Sequence, residues 1–375
     1  FLIMDDINKS KEYEFLIKNG FRRSHNILYN QVCANCNLCK SIRVNVKEFK
    51  LSKSNKRILN KVESDTSRPV LFSESHGGSE NQLRLLFKYV PDEYFKKINL
   101  ILNNANPSLL EKDKINVLWM QHFVNQEEAK NLGSKEFVDR LDYIIFNSHW
   151  NFEKFQYQFK IPENKSIVIR NAVEKIEHHE KPKDKINLIY HTTPWRGLEN
   201  LLNIFKKMNL KNVELNVCSS TEIYGKKFSE KYDQKYKSIF DECKNSNNVN
   251  YLGYLDNTKI IELLKKMHIY SFPSIWPETS CISAIESMAA GCNMVTTSLG
   301  ALYETCSPFG KFVTFDGNFH NLDDKFQIKL NECIENYWSN ENQELLKLQV
   351  DTINRTYSWE ERSKEWIFFL KNLKN

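Results

Sequence analysis

Residues 276–291, W-P-E-T-S-C-I-S-A-I-E-S-M-A-A-G, form the stretch that decides the fold. They follow a short apolar run, I-Y-S-F at 269–272, which is ended by a proline and predicts a buried strand. After the second proline, apolar residues recur at steps of three and four, and this spacing predicts a helix that ends at Gly291. A strand is therefore expected to run into a helix, with Glu278 at the turn and Glu286 two turns further along.

The start of such a helix suits a phosphate group. Its first backbone N–H groups have no partner within the helix, and they lie at the positive end of the helix dipole. Here the donors are predicted to be the amides near Ser280, Cys281 and Ile282. The carboxylates of Glu278 and Glu286 are instead suited to accept hydrogen bonds from the hydroxyls of a sugar. A phosphate and hydroxyls together indicate a sugar nucleotide.

Glu278 and Glu286, with seven residues between them and Ala-Ala-Gly after them, resemble the E-x7-E signature of retaining GT-B glycosyltransferases of the GT4 type. The spacing alone also fits a turn residue and a solvated helix face, but further motifs follow in family order. The resemblance implies an α/β protein of GT-B architecture, in which two Rossmann-like domains face a cleft. It implies that Glu286 holds the ribose of the nucleotide and that Glu278 holds the hydroxyls of the sugar ring.

Composition is that of a globular protein with more than one domain. The chain has 375 residues, is 41% hydrophobic with a mean hydropathy of -0.55, and contains no apolar run long enough to span a membrane. Its nine cysteines are mostly scattered, which favours reduced thiols and a cytoplasmic location. Contact with the inner face of a membrane stays open. Because the chain begins at Phe1, we expect its natural N-terminus to lie upstream.

Residues 11–62 are predicted to form a small separate unit. A short helix over 11–20 is followed by G-F-R-R-S at 20–24, a strand-like segment and a Lys/Arg-rich tail. The three closely spaced cysteines of this unit are Cys33, Cys36 and Cys39. These features resemble the N-terminal domain of bacterial arginyl/leucyl-tRNA–protein transferases, the N-end rule aminoacyltransferases. The upstream Cys-Tyr-Leu-Pro segment and the acyltransferase domain of that family are absent.

The properties of this small α+β appendage, placed at residues 1–62, stay open. Its three cysteines offer ligands for Zn or an iron–sulfur centre, although a fourth ligand is not visible and a metal-free cluster is the alternative. Residues 1–61 carry thirteen basic and five acidic side chains, against a net charge of +6 for the whole chain. The basic tail suits tRNA phosphates, but it also fits a solvated charge run, so nucleic acid is not the expected partner of the chain. Three origins of the unit stay open: it is a functional module, an evolutionary remnant, or a sequence joined to the rest by an error of sequence assembly.

Short apolar runs alternate with amphipathic segments from residue 68 onwards, and such alternation predicts parallel sheets covered by helices. The predicted strands are 69–73, 98–102, 115–120, 143–146 and 166–169, followed after a polar linker by 186–190, 213–218, 249–252, 268–272 and 294–297. We expect an acceptor-side domain over 66–175 and a nucleotide-sugar donor domain over 185–357. By resemblance, a C-terminal helix over 358–375 crosses back onto the first of these.

The site on the acceptor side is predicted from two motifs that follow strands. In S-H-G-G-S-E, Gly77 and Gly78 let the backbone approach a ligand closely before a helix begins. This loop resembles the G-G-x-E loop of GT4 enzymes, in which backbone amides meet the donor diphosphate. His122 comes directly after a strand, where the family often places a residue that faces the reacting sugar. A structural histidine is the alternative.

The site on the donor side is predicted from the ends of later strands. Arg196, in R-G-L, would stabilise the diphosphate as charge develops on it, with help from Thr192 and Thr193. The family usually adds a lysine here, and this chain has none. By resemblance, a nucleotide-side loop includes Ser219, and the backbone of Tyr254 and Leu255 bonds the base.

The resemblance implies transfer of a sugar from a nucleotide diphosphate sugar to a hydroxyl of a glycan, lipid or protein. Front-face substitution is the favoured mechanism, because no carboxylate is placed for a covalent intermediate. Neither a metal nor a cofactor is expected to be required, since cationic groups replace a metal and no Asp-x-Asp pair ends a strand. The alternatives are an aminoacyl-tRNA–dependent transferase, which rests on residues 11–62 alone, and a non-catalytic nucleotide-sugar binding protein.

Overall fold

A computed structural model of the chain describes residues 75–373 and the backbone of three short strands nearer the N-terminus. The chain divides into two compact units, Phe1–Ser64 and Asp65–Asn375. In the first unit the strands form an antiparallel sheet in the order β1-β3-β2, in which β1 is Leu2–Ile3, β2 is Arg22–Ser24 and β3 is Ile27–Tyr29. The predicted helix at 11–20, the three clustered cysteines and the predicted strand at 69–73 lie outside the described residues.

The larger unit contains two lobes. The first lobe, residues 75–173 together with the last helix, has a four-stranded parallel sheet in the order β4-β5-β6-β7. Its elements are α1 (Gly78–Tyr89), β4 (Ile98–Leu102), β5 (Ile115–Met120), α2 (Lys135–Asp139), β6 (Tyr143–Phe146), α3 (His149–Phe159) and β7 (Ser166–Val168). The helix predicted to follow Gly77 and Gly78 begins at Gly78 itself.

The second lobe, residues 186–357, has a six-stranded parallel sheet in the order β10-β9-β8-β11-β12-β13. Its first elements are β8 (Ile186–Tyr190), α4 (Leu198–Met208), β9 (Val213–Val217), α5 (Lys226–Asn245), β10 (Val249–Tyr251), α6 (Asn257–Leu264) and β11 (Ile269–Phe272). These are followed by α7 (Ile282–Ala289), β12 (Asn293–Thr297), α8 (Leu302–Cys306), β13 (Gly310–Val313), α9 (Phe319–Glu335) and α10 (Asn340–Thr356). The last helix, α11 (Trp359–Lys371), belongs to the first lobe. Two Rossmann-like domains, as the sequence predicts, are therefore confirmed.

Strand β13 is the element that the sequence did not predict. It pairs with β12 alone, at the edge of the sheet, and its first three residues are only half-buried. A short edge strand of this kind needs no continuous apolar run, so hydrophobic patterning gives little sign of it.

The two lobes are joined where the chain crosses between them twice. The Val173 N–H donates to the Tyr357 carbonyl (2.8 Å), and the Trp359 N–H donates to the Val173 carbonyl (3.0 Å). Beyond this junction α11 packs into the core of the first lobe, where the ring of Trp366 lies 4.8 Å from that of Trp119. The end of the chain thus returns to the first lobe.

Candidate functional site

A cavity of about 800 Å³ lies between the lobes. It is lined by segments that directly follow β5, β6, β8 and β11, which is where ligands bind in open parallel sheets. The predicted site residues that line it are Gly77, Gly78, His122, Thr192, Thr193, Arg196, Tyr254, Leu255, Glu278, Ser280, Cys281, Ile282 and Glu286. Residues separated by more than two hundred positions in sequence, such as Gly77 and Glu286, therefore meet at one cavity.

Arg196 is positioned by the glycine that follows it. Gly197 has φ +119°, and a Cβ at this position would lie 2.2 Å from the carbonyl oxygen of Pro273. Only glycine therefore lets the start of α4 lie against the loop that follows β11. This close approach brings Arg196 to the carboxylate in that loop.

The guanidinium of Arg196 forms an ion pair with Glu278. Its Nη1 lies 2.7 Å from Oε1 and 2.8 Å from Oε2 of a carboxylate that is 4% exposed. Burial raises the pKa of the Glu278 carboxyl, and the Arg196 charge opposes that rise. The Arg196 Nε is also buried and has no hydrogen-bond partner within residues 75–373. The arginine therefore stabilises Glu278 while keeping a donor that a ligand can use.

The backbone of Glu278 is fixed from the opposite side by the segment after β12. Gly300, with φ +67°, forms a parallel bridge with Glu278, and a Cβ on it would lie 2.4 Å from the Glu278 carbonyl oxygen. The same carbonyl accepts the Ala301 N–H at 2.7 Å. Glycine is therefore required at position 300 to hold Glu278 in place.

Helix α7 begins directly beside this carboxylate. Its N-cap, Cys281, adopts the left-handed conformation with φ +68°, which a side chain other than glycine rarely does. Strain of this kind is found chiefly where the surrounding structure imposes it at ligand sites. The N–H groups at the start of the helix, those of Ile282 and Ser283, are the unpaired donors expected of any helix N-terminus.

Glu286 is buried on the same helix and lines the same cavity. Burial raises the pKa of its carboxyl to about 7, although a hydrogen bond with the Asn257 side chain opposes the rise. The cavity therefore holds one carboxyl group that is paired with a guanidinium and a second one whose pKa is raised to about 7.

The first lobe supplies the opposite wall of the cavity. The Gly77 N–H donates to Ser75 Oγ (3.2 Å), so this predicted phosphate donor is already engaged, and the His76 N–H donates to the Ile223 carbonyl of the second lobe (2.7 Å). Burial lowers the pKa of His122, and Glu128, whose Oε2 lies 3.8 Å from its Nδ1, opposes the change. His122 is therefore neutral at neutral pH.

Several buried polar atoms at the cavity have no hydrogen-bond partner among residues 75–373. They are Gln121 Nε2, His122 Nδ1, Asn171 Oδ1, Thr193 Oγ1 and Arg196 Nε. Buried polar atoms are nearly always paired in proteins, so a cluster of unpaired ones around one cavity indicates a polar ligand. Both lobes contribute to the cluster.

Ser219 is the predicted site residue that the structure does not place on the cavity. It is 1% exposed, and its carbonyl accepts the Tyr251 hydroxyl at 2.9 Å. Its neighbours Cys218 and Ser220 line the cavity instead. The correction follows from the strand period, because successive residues at a strand end face opposite ways.

Sequence reasoning missed the contacts that join the lobes at the cavity. Thr279 Oγ1 donates to the Gln121 carbonyl (2.8 Å) and accepts from Asn147 Nδ2 (3.1 Å). Glu304 accepts from the N–H groups of His149 (3.1 Å) and Trp150 (2.9 Å). Thr279 lies within the E-x7-E stretch and Glu304 follows it, but their partners lie more than 130 residues away, so nothing local marks them.

An aromatic group on the second lobe was also missed. Trp195, Tyr224 and Phe228 line the cavity, and the rings of Trp195 and Tyr224 stack with centroids 6.1 Å apart. Tyr224 and Phe228 begin a series of aromatic residues at steps of four that continues along α5, and such a series resembles an ordinary packing stripe.

Within residues 75–373, no group of three or more His, Cys, Asp or Glu side chains is arranged to hold a metal ion. The described helices include none that is long and apolar enough to cross a membrane.

Residues 170–343, nearly all of the second lobe, match the family model for glycosyl transferases group 1. Residues 2–57 match a different model, arginine-tRNA-protein transferase, N terminus. The two resemblances drawn from the sequence are thus confirmed, each on its own segment.

Solved glycosyltransferases have the same fold. A glycosyltransferase from Rickettsia africae is 15% identical with a TM-score of 0.59, covering 84% of this chain and 86% of its own. HepE from Anabaena, solved with UDP and glucose, is 16% identical with a TM-score of 0.58, and the match covers 86% of this chain and 90% of the HepE chain. At identities this low, the structural similarity shows that the chain has the GT-B fold, and it shows the fold alone.

Curated relatives match at the N-terminal end. The aspartate/glutamate leucyltransferase of Vibrio vulnificus is 36% identical over 85 residues, which are 23% of this chain and 34% of the relative. That of Hyphomonas neptunium is 36% identical over 78 residues, 21% of this chain and 29% of the relative. The chain therefore spans about a third of the length of the curated relatives it matches.

Proposed function

We propose that this protein is a retaining glycosyltransferase that moves a sugar from a nucleotide diphosphate sugar to a hydroxyl acceptor on a glycan, lipid or protein. The observation that carries the proposal is the arrangement of Arg196, Glu278, Glu286 and the start of α7 around one cavity between two lobes. It supplies a cation, free amides and two carboxyl groups, which match the phosphates and hydroxyls of such a donor.

In this proposal Arg196 and the start of α7 bind the diphosphate. The unpartnered Nε of Arg196 is free to donate to a phosphate oxygen while Nη1 stays on Glu278. A guanidinium fixed in a buried site stabilises the charge that develops on the leaving diphosphate, without reorganising first. The amides of Ile282 and Ser283 add the positive end of the helix dipole.

The two carboxyl groups are proposed to bind hydroxyls. Glu286 accepts hydrogen bonds from the ribose, beside Tyr254 and Leu255 at the base, and Glu278 accepts them from the sugar ring. Neutral His122 faces the reacting sugar, and the unpartnered amide of Gln121 offers a further donor there. Sugar hydroxyls both donate and accept, so they can satisfy the mixed set of unpaired atoms.

The reaction proposed is front-face substitution at the anomeric carbon. The bond from that carbon to the diphosphate oxygen breaks, the acceptor oxygen attacks from the same face, and the released phosphate oxygen takes the acceptor proton. This path leaves the anomeric configuration unchanged. It needs no protein nucleophile, and Glu278 is tied to Arg196 through both of its oxygens.

A donor screen on the full chain tests the proposal. Thermal unfolding and slow donor hydrolysis would be followed with UDP-, GDP- and ADP-sugars in the wild type, in Arg196→Ala and in Glu286→Ala, with the exposed Glu344→Gln as the control. We expect one nucleotide class to stabilise the wild type and the control, by about 2.7 kcal/mol at a hundredfold excess over Kd. A folded protein that responds to none, or variants that respond like the wild type, would overturn it. The anomeric configuration of the product, read by NMR, tests retention.

A second candidate function rests on the match at residues 2–57. The 85 residues that match the Vibrio vulnificus leucyltransferase are 34% of that enzyme, so we propose that this segment does not by itself transfer amino acids from tRNA. Transfer of radiolabelled leucine from charged tRNA to a peptide with an N-terminal aspartate, measured with the full chain, would contradict this.

A further inference from the structure

Glu304 of the second lobe is bound to the first lobe through four groups. Its carboxylate accepts from the backbone N–H groups of His149 (3.1 Å) and Trp150 (2.9 Å). It also lies 3.2 Å from the ring Nδ1 of His149 and 3.2 Å from Nη2 of Arg170. A single side chain, 20% exposed, therefore gathers donors from two separate segments of the opposite lobe.

The contact places an anion at the N-terminus of an eleven-residue helix. Ser148, the N-cap of α3, accepts the Asn151 N–H, so Glu304 takes the two preceding amides that the cap leaves unpaired. A carboxylate at this end of a helix is also favoured by the helix dipole. Burial raises the pKa of Glu304, but the amides of Trp150 and His149, with the charge of Arg170, outweigh it, so that the pKa lies below its usual range and the group is ionised.

On its own lobe, Glu304 belongs to the helix that supports the loop carrying Glu278. Two residues in its immediate neighbourhood hold that loop: the Ala301 N–H donates to the Glu278 carbonyl (2.7 Å), and Thr305 Oγ1 donates to the Ser280 carbonyl (2.6 Å). Helix α8 has only five residues, so its ends cannot move independently over a large distance. A displacement of Glu304 therefore also displaces residues 278–280, through these two hydrogen bonds.

On the opposite lobe, the start of α3 is tied to the cavity wall. Asn151 Nδ2 donates to the His122 carbonyl (3.3 Å), and the Trp150 ring stacks on Phe123 with centroids 5.6 Å apart. Between the two sides, Thr279 bridges to Gln121 and Asn147. The Glu304 contact thus joins two rigid segments, each of which carries residues of the cavity.

We propose that Glu304 is a positioning residue: by binding the start of α3 when the lobes close, it sets Glu278 and Ser280 opposite Gln121 and His122. Its role in turnover rests on the proposed glycosyltransferase function, whereas its role in lobe closure does not.

Lobe closure is tested first, without any ligand. Small-angle X-ray scattering of the full chain would compare the wild type, Glu304→Ala, Glu304→Gln and Arg170→Gln, with Glu344→Gln as the control, at 0.1 M and 1 M NaCl. We expect a larger radius of gyration in Glu304→Ala at both salt concentrations. Glu304→Gln, which keeps an acceptor for the amides, and Arg170→Gln should be intermediate. An unchanged radius in Glu304→Ala would overturn the proposal.

Turnover is tested on the same variants with whichever of UDP-, GDP- or ADP-glucose stabilises the wild type most. In Glu304→Ala we expect hydrolysis kcat to fall 10- to 100-fold while the nucleotide Kd changes less than threefold, because the proposed nucleotide contacts, those of Arg196, Glu286 and the start of α7, lie on the second lobe. A contact that only stabilised the fold would lower Tm and leave both constants unchanged, which would contradict the proposal. If the wild type turns over no donor, the scattering result still decides whether Glu304 closes the lobes, and the failure belongs to the proposed function.

Discussion

Arg196 and Glu278 lie 82 residues apart in sequence, yet the guanidinium Nη1 contacts both oxygens of the carboxylate in the cavity. The carboxylate is almost fully buried, while the arginine side chain is a quarter exposed. Each charge therefore depends on the other, and neither can be removed without leaving its partner in a poorly solvated place.

Replacing Arg196 by glutamine should destabilise the protein in a pH-dependent way. Glu278 would keep the burial that raises its pKa and lose the cation that opposes the rise. The cost, about 3 kcal/mol for breaking such a pair, applies where Glu278 is ionised, so it should be larger at pH 8 than at pH 5, because the carboxyl takes up a proton as the pH falls. Urea unfolding between pH 5 and 8 measures it. The double variant Arg196→Gln/Glu278→Gln should recover most of the loss, and equal losses at both pH values would contradict the explanation.

Donor affinity should increase as pH rises through about 7. The pKa of Glu286 lies near that value, and only the ionised carboxylate is a pure acceptor for ribose hydroxyls. Titration of the selected nucleotide sugar between pH 6 and 8 should show up to about a tenfold rise in affinity, since one pKa unit corresponds to a factor of ten. In Glu286→Gln this dependence should vanish, and its persistence there would assign the titration to another group.

The same carboxyl should weaken the ligand-free protein at high pH. A carboxyl whose folded-state pKa is raised destabilises the fold progressively as pH rises from the unfolded value, about 4.3, to about 7. Glu286→Gln should therefore be more stable than the wild type at pH 8, by up to about 3 kcal/mol, and equally stable near pH 4. Thermal unfolding at the two pH values measures the difference, and a loss of stability at pH 8 would contradict it.

Gly300→Ala should damage the site far more than a matched change elsewhere. The new Cβ would meet the backbone of Glu278 at 2.4 Å, in addition to the strain of φ +67°. Gly317, with φ +88° and no atom within 4 Å of the place that a Cβ would occupy, provides the control because Gly317→Ala adds backbone strain alone. Each should lose about 1–3 kcal/mol from strain. Donor hydrolysis should fall at least tenfold only in Gly300→Ala, and equal hydrolysis in the two variants would show that Gly300 does not position Glu278.

Trp366→Ala should destabilise the first lobe by about 3–5 kcal/mol, because the side chain is fully buried against Trp119. Phe368→Ala, two residues away on the same helix and 72% exposed, should change stability by less than about 0.5 kcal/mol. Hydrogen exchange would locate the change. Loss of protection in β4 and β5 is expected for Trp366→Ala, and protection equal to that of Phe368→Ala would contradict the packing described.

Most of the fold could be predicted from the sequence because buried parallel strands are continuous apolar runs. Strands such as 98–102 and 186–190 have the predicted bounds, whereas the half-buried edge strand at 310–313 has no such run and was missed. The main groups at the cavity could be predicted because each follows a strand. Their pairing could not, since the Arg196–Glu278 contact is decided by how two loops approach each other through Gly197 and Pro273.

The contacts between the lobes could not be predicted from the sequence, for a different physical reason. Thr279 and Glu304 bind backbone groups of residues 121, 149 and 150, and a backbone group is the same whatever its side chain. Those backbone contacts therefore leave no mark in residue type, and the side-chain partners Asn147 and Arg170 lie more than 130 residues away in sequence. Ser219 differs from its neighbours for a local reason. Successive residues at a strand end face opposite ways, so Cys218 and Ser220 line the cavity and Ser219 does not.

The return of α11 to the first lobe has a consequence for how the protein is made. Trp359, Trp366 and Leu370 belong to the same hydrophobic core as Leu83 and Val117 of the first lobe. A ribosome therefore releases the second lobe, whose described sheet lies within residues 186–313, before the first lobe can be completed. Because domains usually fold in the order of synthesis, the first lobe must wait with an open apolar face while the later one folds. During translation, it is the first lobe to emerge that is the last to be finished.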